Sequence, residues 1–164
     1  MTKEDQEIRN KVIEAQFNDP ALAAKMQEID SKNLKRMKEI IKRFGWPGES
    51  LVGKDGADAA WLLVQHADKD IKFQKQCLVL IKEAVRKGEA SKENLAYLTD
   101  RILVAERKKQ IYGTQAQIIE GRVVFYPIED EANIDARRKE IGLPTLEEYK
   151  KQLEKIYRLK NQAV

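Results

Sequence analysis

A chain of 164 residues with 42% hydrophobic and 35% charged content is long enough to bury a core as one domain, and its single cysteine excludes an intrachain disulfide. Lys and Arg outnumber Asp and Glu by 31 to 27, but the signs interleave, as in Lys35-Arg36-Met37-Lys38-Glu39. The excess therefore reads as solvated surface, and neither zinc-finger spacing nor a recognition helix argues for nucleic acid. The longest apolar run, Ala59 to Val64, is too short for a bilayer, and MTKEDQEIRNK lacks an apolar signal region, so a cytoplasmic protein, neither secreted nor membrane-embedded, is expected.

Thr2 to Phe17 places Ile8, Val12, Ile13 and Phe17 on one helical stripe, which predicts a helix that packs on a neighbour. Asn18-Asp19-Pro20 supplies a cap and a first-turn proline for a second helix through Leu22, Met26 and Ile29. Asp30-Ser31 is expected to restart or bend it before Leu34, Met37, Ile40, Ile41 and Phe44 resume the stripe, and Gly45 ends it. The segment GWPGESLVGKDG, residues 45 to 56, reads as a loop, with Trp46 expected to be largely buried and to anchor it. ADAAWLLVQHADKD and IKFQKQCLVLIKEAVRK predict two helices joined near Asp68. Ser91 caps another over NLAYLTDRILVAERKKQ, ending near Gln110.

After Tyr112-Gly113 the period changes. TQAQII and RVVFYPI, separated by Glu120-Gly121, predict a β-hairpin within residues 115 to 127. A short helix over Asn133 to Ile141 closes at Gly142, and the capping-box spacing of Thr145 and Glu148 opens a last helix carrying Leu146, Tyr149, Leu153 and Ile156. The expected fold is mainly α, a bundle-like single domain over 1–164 with one small hairpin, divided into N-terminal helices over 1–44 and a motif-bearing region over 45–159.

Chemistry is sought where polar residues interrupt apolar helices. Gln65, His66 and Asp68 close the apolar helix from Ala57, with Asp70 four residues after His66. Thr99, Asp100 and Arg101 interrupt Leu95, Leu98, Ile102 and Leu103. Neighbouring helical residues do not face each other, so Asp100 and Arg101 are expected to pair elsewhere. Gln110, Tyr112, Thr114 and Gln115 bunch donors and acceptors at a helix-to-strand junction, and only one of Arg137 and Arg138 can face inward on a short helix. Cys77 shares a helical face with Phe73, Ile81 and Ala84, which makes it a core residue. No cofactor is expected; a divalent metal is a minor alternative resting on His66 with Asp68, Asp70 or Asp100.

The motifs WP with SLVG, AAWLLVQHADKD, AYLTDR, Q-x-YGTQ, PIED and DARRKEIGLPTLEEY, in this order from Gly45 to Tyr149, resemble an uncharacterised bacterial family of unknown function. The resemblance adds weight to the location of a site and implies no activity. From the side chains, the expected function is a small enzyme for hydrolysis or group transfer on an anionic small molecule or peptide. His66 is its acid/base, Asp100 or Asp68 orients the ring, Tyr112 completes the catalytic set, and Gln65, Arg101, Gln110, Thr114, Gln115, Arg137 and Arg138 bind substrate. With no convincing serine nucleophile, water or a second substrate attacks. The alternative is a non-catalytic inhibitor or immunity-type partner that binds through residues 45 to 56.

Overall fold

The computed structural model describes residues 1–157; the last two residues of the expected 45–159 region lie outside the described residues. Among the described residues are seven α-helices and one two-stranded hairpin, the mainly α architecture with a single hairpin that the patterning predicts. No helix among them is long and apolar enough to cross a membrane. The contacts divide into two compact units, Met1–Ala90 and Ser91 onward.

The first unit holds α1 (Thr2–Glu14), α2 (Pro20–Phe44), α3 (Glu49–Gln65) and α4 (Ile71–Arg86). In it α1 packs on α2 and α3, α2 on α3, and α3 on α4. The stripe of α1 is Asp5, Ile8 and Val12. It stops short of Phe17, because Gln16 and Phe17 take left-handed backbone and Phe17 is exposed. Asp19 accepts from the N–H groups of Ala21 and Leu22 with Pro20 behind it, as the sequence predicts. The expected break at Asp30-Ser31 is absent: Ser31 Oγ donates to the Gln27 carbonyl at 2.7 Å, a local bond compatible with the helix, and α2 runs on to Phe44, itself exposed.

The loop expected over residues 45 to 56 is a second correction. Helix α3 starts at Glu49, because Glu89 serves as an external cap: its carbonyl accepts from Glu49 N at 3.2 Å and its carboxylate from Ser50 N at 2.8 Å, satisfying first-turn donors that have no partner within the helix. Gly48 fits against Glu89 where a Cβ would lie 2.7 Å from the carboxylate. The helix kinks at Gly53, at φ 73°. Trp46 is partly buried, with its buried indole N–H unpartnered among the described residues. Asp70, accepting from Phe73 N, opens α4, so two helices meet near Asp68 as predicted. Cys77 is fully buried, and burial pushes its thiol up to about 12.

The second unit holds α5 (Lys92–Ala105), β1 (Ala116–Ile119), β2 (Arg122–Phe125), α6 (Ile134–Glu140) and α7 (Leu146–Ile156). Ser91 caps α5 through Asn94 N. The helix ends five residues before Gln110, which instead bridges to Ile128, so the expected extension to Gln110 is wrong. The hairpin pairs Ala116 with Phe125 and Ile118 with Val123, turning at Glu120-Gly121, both with positive φ, the conformation that short hairpin turns require. Helix α7 contacts β2, with Phe125 stacked on Tyr149, and Thr145 and Glu148 form the predicted capping box. Ile156, expected on the packed face, is exposed.

Candidate functional site

Helix α3 ends at Gln65, so His66 is its C-cap rather than a member of its face. The expected alignment of His66 with Asp70 is lost with the helix, and Asp70 pairs with Lys38 at 2.6 Å. The carboxylate on His66 is that of Asp5, from α1: Nδ1 lies 3.1 Å from Oδ1 and 2.9 Å from Oδ2. Asp5 is fully buried and the His66 side chain is 11% exposed. Neither Asp68 nor Asp100 was needed to supply this contact. Asp68 Oδ1 accepts a long bond, 3.4 Å, from Gln74 Nε2, and the same amide caps α3 by donating to the carbonyls of Val64 and Gln65.

Arg9, one turn after Asp5, donates through Nε and Nη2 to Oδ2 and Oδ1 of Asp5 at 3.3 and 3.2 Å. Nη2 also bonds Asp30 of α2. Burial opposes ionisation of Asp5, but hydrogen bonds and charge from His66 and Arg9 together outweigh it and hold the carboxyl at about 2. Asp30 goes the other way: burial raises it against the pull of Arg9 and His66. An ionised carboxylate has no proton to give, so the Nδ1 contact makes Nδ1 the donor, and the neutral ring then carries its lone pair on Nε2. Nε2 makes no hydrogen bond among the described residues. Asp5, Asp30 and His66 each bring a donor atom within 4.8 Å of the others. Among the described residues this is a group placed closely enough to hold a metal ion, and Arg9 bonds both of its carboxylates.

The second unit gathers the other expected residues around Asp100. Its carboxylate accepts from Ile111 N at 2.7 Å, from Tyr112 N at 3.1 Å, and from Thr114 N and Oγ1 at 3.0 Å each. Burial raises Asp100, against the donors from Thr114, Ile111 and Tyr112. Gln110 donates to the carbonyls of Gln115 and Tyr126 and accepts from Gln115 N, so it fastens the junction to the hairpin. Arg101 reaches Gln115 Oε1 at 3.4 Å.

Of the two arginines, Arg138 is the inward one. Its Nε bonds the Pro144 carbonyl and Nη1 those of Tyr112 and Gly113, while the guanidinium lies over the Tyr149 ring. Burial lowers its pKa, and its Nη2 is buried without a partner. Arg137 bonds the carbonyls of Ile111, Glu129 and Asp130. Burial, then the Asp100 charge, raises the Tyr112 phenol. Gly113 has φ 63°, and a Cβ there would come within 2.8 Å of Leu146. These residues brace the segment from Gln110 to Gln115; the expected set is thus split between the two units, with Gln65, His66 and Asp68 in the first.

Sequence reasoning missed Asp5, Arg9 and Asp30. A signal was present: Asp5 falls on the stripe of Ile8 and Val12, and an acid in an apolar stripe needs a partner.

The sequence model of a family of unknown function, DUF6624, matches residues 1–162, and the chain belongs to this family. The match takes in the first 44 residues as well, including Asp5, Arg9 and Asp30. No curated protein matches the chain, and no solved structure does.

Proposed function

We propose that the protein is a small acid–base enzyme for hydrolysis or group transfer, in which His66 exchanges the proton and Asp5 orients the ring. The observation that carries this reading is the His66–Asp5 contact: a buried, ionised carboxylate on Nδ1 fixes the tautomer and leaves the Nε2 lone pair as the base. Histidine suits proton exchange near neutral pH. Water or a second substrate is the attacking group, and an anionic small molecule or peptide is the proposed substrate. The expected roles of Asp100 and Arg138 in chemistry receive no support from their hydrogen bonds, which go to backbone apart from the Thr114 hydroxyl on Asp100.

The test is turnover of a panel of carboxylic esters, phosphoesters and amides by wild type and His66→Gln. Catalysis predicts that any turnover disappears in His66→Gln with melting unchanged. Turnover that persists in folded His66→Gln overturns the reading. A second reading, a non-catalytic inhibitor or immunity-type partner, is favoured by Leu51, 61% exposed, and Val52, 44% exposed, on the turn of α3 before its kink. Leu51→Ser with Val52→Ser abolishes the biological effect on that reading while His66→Gln preserves it.

A further inference from the structure

A carboxylate steers an imidazole only if its own two oxygens are fixed. On α1, Arg9 meets Asp5 with a two-pronged fork, Nε to Oδ2 and Nη2 to Oδ1, the geometry that ties both oxygens of one carboxylate. The fork is itself held from α2, since Nη2 also bonds Asp30 and Nη1 lies 3.5 Å from the Met26 sulfur. The same helix offers a contrast at the same spacing. Lys3 and Glu7 stand 4.0 Å apart with 91% and 60% of their side chains exposed, a solvated pair that fixes nothing.

We infer that Arg9 is a positioning residue for His66: its fork, braced by Asp30, sets the plane of the Asp5 carboxylate so that Nδ1 keeps its proton and Nε2 stays the open base. This rests on the acid–base reading of His66. Lysine cannot substitute, because one ammonium does not occupy both prongs.

Because His66 is the only histidine, long-range ¹H–¹⁵N spectra of the ¹⁵N-labelled full chain report its neutral tautomer directly. Wild type should show Nδ1–H. Arg9→Lys, which keeps the charge and loses the fork, should raise the ratio of Nε2–H to Nδ1–H roughly tenfold, the size of one charge-assisted hydrogen bond. Arg9→Gln should raise it at least as far. If Arg9→Gln fails to fold, Arg9→Lys decides, and a folded Arg9→Lys protein with the wild-type ratio overturns the inference. An Nε2–H ring in wild type would instead overturn the acid–base reading, and turnover that survives His66→Gln would do so without touching the tautomer result.

Discussion

Asp5 and Asp100 are both fully buried carboxylates, and the protein uses them for opposite ends. Asp100 gives its oxygens to Ile111, Tyr112 and Thr114, and Arg138 gives its donors to the carbonyls of Tyr112, Gly113 and Pro144. The result is a braced loop with polar side chains consumed by backbone. Asp5 gives its oxygens to side chains, those of His66, Arg9 and Gln6, and the other imidazole nitrogen makes no hydrogen bond among the described residues. The two clusters differ in where their bonds end: those of Asp100 end mainly on backbone and brace a loop, and those of Asp5 end on side chains, the arrangement on which the proposed acid–base role of His66 rests.

The contrast breaks most visibly at Asp100. Asp100→Ala should cost about 4 kcal/mol, because several buried donors lose their acceptor together; a urea midpoint near wild type would remove the clamp. Arg138→Met should cost about 3 kcal/mol through unpaired carbonyls at Tyr112 and Pro144. A loss under about 1 kcal/mol in the same measurement would show those bonds to be dispensable.

Acid titration sharpens the comparison. The Asp5 carboxyl falls from 3.8 unfolded to about 2 folded, so it contributes about 2 kcal/mol that is fully present above pH 3.8 and is lost as pH falls through about 2. Asp5→Asn should flatten that limb of the stability curve. Asp100, raised by burial, acts with the opposite sign: its ionisation weakens the fold as pH rises through 3.8 toward its folded value. An acid limb unchanged in Asp5→Asn would show that His66 and Arg9 do not hold the charge. His66→Gln should have the smallest effect on stability, under about 1 kcal/mol, since glutamine still donates to Asp5; a larger drop in melting temperature would make His66 a structural residue.

The sequence alone placed the helix caps at Asp19, Ser91 and Thr145, the hairpin turn at Glu120-Gly121 and the burial of Cys77, because each is settled by neighbours within a few residues. It singled out His66 and Asp100 as polar groups among apolar ones, and expected Asp100 to pair away from Arg101. Tertiary structure decided the rest. Asp5 lies 61 residues from His66 and Glu89 lies 39 from Ser50, and no local period encodes a partner at that distance. The helical turn at residues 49–52, ahead of the break at Gly53, has its first N–H groups satisfied by Glu89, a distant residue. The pairing of His66 depended on how α1, α2 and α3 pack, since a buried charge takes whichever opposite group the packing delivers.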